Sequence, residues 1–266
     1  PPIPAHLAPF YAVEAHSMLE LEPPRHTRLR SLVLRAFTSR RINALGPEIT
    51  TLSHELIDAL PDGPFDLLKH FGQKLPVIII ARMLGVPEDM SDDLLRWSNA
   101  MVGMYMAGRT PETEARAVAA TEAFVAFMRG YIEARRADPR DDLITSLIAA
   151  EEAGEKLSTD ELITTCILLL NAGHEATVHT IGNGVKTLLE TGNTITRDTA
   201  ETCIEEIFRF DPALHMFTRW AYTDVEVMGH TFKRGDQVAL LLAAANRDPG
   251  VWDDPDAFQP LRMIKP

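Results

Sequence analysis

One apolar run carries residues that break its own local logic. Gly173, His174, Glu175, Thr177, Gly182 and Gly184 lie within a stretch that is otherwise built to be helical and buried. Glycine costs a helix interior about 1 kcal/mol against alanine, and an ionised Glu in an apolar surround costs much more. Such losses inside a consistent element mark a functional site. The small Ala172-Gly173 step lets something bulky and flat approach the backbone, beside the Glu175 carboxylate. A packed helix crossing accounts for the glycine equally well, but it leaves Glu175 unexplained. A zinc-protease motif would set two His four residues apart. His174 and His179 are five apart, roughly 140° around a helix, so they cannot share one metal on a face.

A second set is cationic. Arg25-His26-Thr27-Arg28-Leu29-Arg30 opens a helix, and His26 and Arg30, four apart, share a face. Arg and His donate charge-assisted hydrogen bonds to carboxylates, so two donors on adjacent turns can grip one anion. The other reading is a solvated basic face on an acidic protein. Glu206 and Arg209 form an i,i+3 pair, worth only about 0.2–0.5 kcal/mol if exposed. Arg219, in His215-Met216-Phe217-Thr218-Arg219-Trp220-Ala221, reads on its own as a surface arginine.

The element that must position the first set runs from Ser158 to Glu190. Ser158 and Glu161 form a capping box. Cys166 to Leu170 is apolar on every face, as in a helix buried all round. At 1.5 Å per residue the helix spans roughly 45 Å and acts as a spine. Before it, residues 1 to 21 are proline-rich and weakly helical, and Glu22-Pro23-Pro24 breaks any helix. Helices are predicted from Arg25, over Ile42–Leu60, over Leu75–Leu84 with a stop at Gly85-Val86-Pro87, from Ser91 to about Met106, and over Pro111–Arg136. The last carries a core stripe of Phe124, Phe127, Met128 and Tyr131. Asp141–Glu152 is a further helix, and Gly154 leads into the spine. After it come a helix over Arg197–Phe210, an alternating stretch Thr223–Phe232 that Arg219 leads into and that turns at Gly229-His230, and an apolar strand Val238–Leu242. The sum is a mainly α protein with a small β-sheet near its C-terminus.

The 266 residues, 45% hydrophobic, suffice for a large core. A net charge of −12 argues against nucleic-acid and anionic-membrane partners. Two cysteines make neither a disulfide framework nor a zinc spacing, which fits a reducing cytoplasm. No apolar run is long enough to span a bilayer, and no signal peptide is expected before Pro1. The chain begins Pro-Pro rather than Met, so Pro1 is not expected to be the translation start.

Taken in order, Glu22-Pro23-Pro24-Arg25-His26-Thr27-Arg28-Leu29-Arg30, the Ala-Gly-His-Glu of the spine, Glu206-x-x-Arg209, Arg219, and Asn246-Arg247-Asp248-Pro249 through Asp256-Ala257-Phe258-Gln259-Pro260-Leu261-Arg262 resemble a bacterial cytochrome P450, a haem-thiolate monooxygenase. The resemblance covers essentially all of residues 1–266. It implies a single P450-like domain, incomplete at both ends and built around the long helix at about 158–190. It implies haem b as cofactor, with His26, Arg30 and Arg219 holding the propionates. It implies a structural network of Glu206, Arg209 and Arg262. The spine would cross the distal face of the haem, with Ala172 and Gly173 leaving room for oxygen.

Three features depart from the family. Its usual alcohol directly follows the acidic residue, and Ala176 stands there; Thr177 lies one residue later, turned by about 100°. Glu175 and Thr177 are therefore the candidates for proton delivery, with water or a substrate hydroxyl as a possible stand-in. The link from Glu190 to Thr199 is short for the family. The axial cysteine loop should follow Arg262, whereas the sequence stops at Pro266, and neither Cys166 nor Cys203 lies in such a loop. No metal ligand is therefore named. Two readings remain. One is a monooxygenase that activates O₂ with electrons from a ferredoxin- or flavin-type donor and hydroxylates a small apolar organic substrate, with Leu214, Met216 and Phe217 lining part of the pocket. The other is a haem-free relative that acts by binding.

Overall fold

The computed structural model describes residues 3–106, 108–152 and 155–263. Its backbone divides into two compact units, one ending at Glu175 and the other beginning at Ala176. Gly154, expected to lead into the spine, lies outside the described residues.

The first unit is helical. Its elements are α1 (Ala8–Glu14), α2 (Arg25–Ala36), α3 (Ser39–Ala44), α4 (Gly46–Asp58), α5 (Lys74–Leu84), α6 (Ser91–Val102), α7 (Pro111–Ala137) and α8 (Leu143–Ala149). The single helix expected over Ile42–Leu60 is two. Pro47 cannot donate a backbone hydrogen bond to a preceding turn, so it starts α4 and interrupts the run. The helix expected to reach Glu152 ends at Ala149, because Ala150 turns to extended backbone. A two-stranded hairpin follows, β1 (Glu151–Glu152) with β2 (Glu155–Lys156). The helix begun at Ser91 closes at Val102, where a 3₁₀ turn takes over. At the end of α5, Gly85 has φ +83°, the left-handed cap that glycine adopts without strain.

The core of this unit gathers apolar residues of α1, α2, α5, α6, α7, α8 and the first half of the spine. Phe124 and Met128 are buried, Phe127 and Tyr131 half-buried, and Trp97 of α6 lies 5.3 Å from Phe124 between ring centres. Tyr131, Arg135 and Asp142 tie this core to the end of α5. Arg135 donates to Asp142 Oδ2 (2.6 Å) and to the Gly85 carbonyl (3.0 Å), and the Tyr131 hydroxyl donates to that same carbonyl.

The spine is α9 (Thr159–Thr191). Its capping box is formed as the residue types predict: Ser158 N donates to Glu161 Oε2 (2.9 Å) and Glu161 N donates to Ser158 Oγ (3.2 Å). Cys166, Ile167 and Leu170 are buried, while Leu168 and Leu169 are half-buried.

The second unit contains the last turns of α9, α10 (Ala200–Phe210), four short strands and α11 (Leu242–Ala245). β3 (Met216–Trp220) pairs antiparallel with β6 (Gln237–Leu241), from Met216 opposite Leu241 to Trp220 opposite Gln237. β4 (Val225–Val227) pairs with β5 (His230–Phe232). The small sheet is thus two separate ladders. Arg219 does not lead into a strand but sits inside β3, opposite Val238. The hairpin turn is Met228-Gly229, both with positive φ, and His230 already belongs to β5. That geometry is the one that matches the twist of two paired strands.

Candidate functional site

On α2 the buried side is Leu29, Leu32, Val33 and Ala36. His26 is half-buried and Arg30 exposed. Among the described residues, neither side chain takes a hydrogen bond or ion pair. Arg28, two residues from each, behaves differently. Its guanidinium donates to Glu161 Oε1 and to the Lys156 carbonyl (3.4 Å), and its Nε lies 3.2 Å from Glu155. Burial would raise the Glu161 pKa, but the bonds from Ser158 and Arg28 outweigh it and hold the carboxyl below its ordinary value. Sequence reasoning saw Arg28 only as part of a basic run. The capping-box acid, facing a basic helix, was the available signal for the pair.

At the centre of α9 the Ala-Gly step is two-sided. Ala172 is exposed. Gly173 faces α5: a Cβ there would lie 2.8 Å from Ile80 Cδ1. Close helix packing therefore accounts for Gly173. His174 is buried and His179 exposed, in keeping with their angular separation. Glu175 is not enclosed, since its side chain is 26% exposed, and its Oε1 lies 3.9 Å from His174 Nδ1. Ala176 and Thr177 are exposed, and the Thr180 hydroxyl donates to the Ala176 carbonyl (2.8 Å).

In the second unit, Glu206 is 0% exposed. Its Oε1 accepts from Arg209 Nη2 (2.8 Å), Gln259 N (2.9 Å) and Arg262 Nε (3.1 Å), and its Oε2 accepts from Arg209 Nε (2.7 Å). Arg209 also donates to the carbonyls of Asn246, Pro255 and Ala257, and Arg262 to those of Asp253, Asp254 and Ala257. The network thus clamps the irregular segment 246–262 onto α10. Burial works to raise the Glu206 pKa, but these donors prevail and keep it low. Gly184 of α9 permits a close approach to Ile207 of α10, with its Cβ position 3.0 Å from Ile207 Cδ1.

Arg219 is exposed; it donates to the Thr218 carbonyl (2.8 Å), and its guanidinium lies 5.5 Å from the Phe217 ring centre. Leu214, Met216 and Phe217 are also exposed. Both cysteines are buried thiols. Burial pushes Cys166 up to about 12 and raises Cys203, with Glu206 adding to the latter. No helix of the described residues is long and apolar enough to cross a membrane.

These residues suit haem at its carboxylate end. His26 and Arg30 lie on one face of a helix, and among the described residues their side chains have no acceptor. They do not supply a thiolate, because Cys166 is sealed in the core and Cys203 sits beside a buried carboxylate.

The cytochrome P450 family model matches residues 2–197 and 198–265, the two segments meeting inside the link that reads as short. The chain is 36% identical over 246 residues to the polyketide biosynthesis cytochrome P450 PksS of Bacillus subtilis, covering 90% of this chain and 60% of that protein. It is 39% identical over 247 residues to the vitamin D(3) 25-hydroxylase of Pseudonocardia autotrophica, with the same coverage of 90% and 60%. The chain therefore spans about three fifths of the length of these curated relatives. Among solved structures, P450BioI in complex with acyl carrier protein ligated to hexadec-9Z-enoic acid superposes with a TM-score of 0.94 at 31% identity, over 100% of this chain and 70% of that one. With the family model running along nearly every residue and the fold shared at that level, the chain belongs to the cytochrome P450 family.

Proposed function

We propose that this chain forms the helical body of a haem-dependent monooxygenase that hydroxylates a small apolar organic substrate. The observation that carries this is the pair His26 and Arg30, hydrogen-bond donors on one face of α2 whose side chains take no partner among the described residues. Haem, when bound, would supply the iron chemistry of dioxygen activation, with electrons from a redox protein.

In this reading His26 and Arg30 grip a haem propionate through charge-assisted hydrogen bonds. Arg219 is a further propionate donor by its position in the family. Ala172, exposed on α9, leaves room for oxygen, while Gly173 serves the helix crossing with Ile80. Glu175, partly open to solvent, moves the proton; Thr177, water or a substrate hydroxyl stands in for the alcohol that Ala176 lacks. Leu214, Met216 and Phe217 offer apolar surface to the substrate. Hydroxylase and polyketide-pathway relatives support an apolar organic substrate. A ferredoxin- or flavin-type donor brings the electrons, and the compartment is the cytoplasm, in keeping with two unpaired thiols. Residues 1–266 act as part of one domain.

The test is haem release from the protein as its gene encodes it, followed by transfer to excess apomyoglobin. His26→Ala and Arg30→Ala should each speed release about tenfold or more, as expected for losing a hydrogen bond to a charged group. Unchanged release in both would remove the grip. A protein that takes up no haem would favour the binding-protein reading.

A further inference from the structure

We propose that Arg28 is a positioning residue. It locks the rotation of α2 against the first turn of α9 and so aims His26 and Arg30. This rests on the haem-grip reading above and adds a device that the grip needs.

The geometry is the argument. On a helix, residues two apart are separated by about 200°, so Arg28 lies roughly opposite the shared face of His26 and Arg30. Its guanidinium is held by three acceptors on one short stretch: Glu161 Oε1, the Lys156 carbonyl and Glu155. Glu161 is itself fixed. It is buried, and its other oxygen accepts the Ser158 backbone N–H of the capping box. The chain of contacts therefore runs from the α2 backbone through Arg28 to a rigid helix start.

Apolar packing of Leu29, Leu32, Val33 and Ala36 keeps α2 on the core, but such contact is non-directional. A planar guanidinium bound to a fixed carboxylate is directional. It selects one rotation of α2 among those that packing tolerates. Two long, exposed or half-exposed donors then start from a set direction, and less conformational freedom is lost when they close on an anion. Glu161 thus has two duties, capping α9 and orienting α2.

The experiment uses the haem-loaded protein as encoded, and reads haem release to apomyoglobin together with the resonance Raman bending mode of the haem propionates. Arg28→Met and Glu161→Gln should each speed release by about the factor seen for Arg30→Ala, on the order of tenfold, and should alter the propionate mode. Arg28→Lys, which keeps charge and reach, should recover part of the effect and covers the case in which Arg28→Met fails to fold. The decisive protein is His26→Ala/Arg30→Ala with and without Arg28→Met. A residue that acts only by aiming those donors adds nothing once they are gone. If the donor variants speed release but Arg28→Met and Arg28→Lys leave it unchanged, or if Arg28→Met adds its full factor to the double variant, the positioning role is overturned and the grip stands. If the donor variants themselves have no effect, both are overturned.

Discussion

Glu206→Ala is the most informative perturbation of the second unit. The substitution strips the one anion from between two buried guanidinium groups, with Arg209 and Arg262 being 4% and 8% exposed. Each arginine keeps its backbone carbonyls, from Asn246, Pro255 and Ala257 for the first and Asp253, Asp254 and Ala257 for the second. Those dipoles do not neutralise two positive charges. Removing one partner of a buried pair costs about 3–5 kcal/mol. At about 2–4 °C per kcal/mol for a chain of this size, the melting temperature should fall by roughly 6–20 °C. Thermal unfolding followed by circular dichroism measures it. The pH dependence adds a second check. Glu206 titrates below its ordinary range in the folded protein. Its contribution is therefore complete above the unfolded carboxyl pKa, near 4.3, and is lost as pH falls through the lower folded value. Glu206→Gln should flatten that acid limb. A Glu206→Ala protein that melts within about 2 °C of wild type, with an unchanged acid limb, would refute the reasoning.

Other outcomes follow from the same structure. Gly173→Val should destabilise the first unit because its side chain meets Ile80, and Ile80→Ala should relieve the loss in a double-mutant cycle; additive effects would show that the contact is not the cause. Cys166, 0% exposed and pushed up to about 12, should resist a thiol reagent at neutral pH until the protein unfolds, and rapid native labelling would contradict its burial. Glu175→Gln should slow product formation by about 10²–10⁴-fold while substrate binding changes little, and Ala176→Thr should be tolerated or improve the yield of product per oxygen consumed; an unchanged rate and yield in Glu175→Gln would leave that residue a packing feature.

Much of the architecture was legible because it rests on local chemistry. Ser158 and Glu161 announce the start of α9, and the apolar run that follows carries it to Thr191 without a proline. Gly85 announces the end of α5. The failures were also local. Pro47 was passed over, although a proline inside a helical pattern starts a new helix. The β1–β2 hairpin escaped because its strands are two residues each and made of Glu and Lys, poor strand formers.

The site was legible as residue types and not as partners. Glu206, Arg209 and Arg262 could be named together only through the ordered resemblance, since an i,i+3 pair says nothing about burial. That Gln259 N and carbonyls from Asn246 to Ala257 complete the network is a tertiary fact. The same holds for Gly173: the sequence shows a small residue, and only the fold shows that Ile80 occupies the space beside it. Glu175 reads as a charge in an apolar helix that is either satisfied locally or exposed at a groove, and a quarter of its side chain meets solvent.

The proposal that the protein works with thiolate-bound haem is tested most directly by the absorption spectrum of the reduced protein under carbon monoxide. The protein as its gene encodes it, purified with its native haem content, should show the strongly red-shifted Soret band of a thiolate-ligated iron. Arg30→Ala should keep that band while losing haem faster. Absence of any haem band after growth with ample iron, or a Soret band at the position of histidine-ligated haem, would contradict the account.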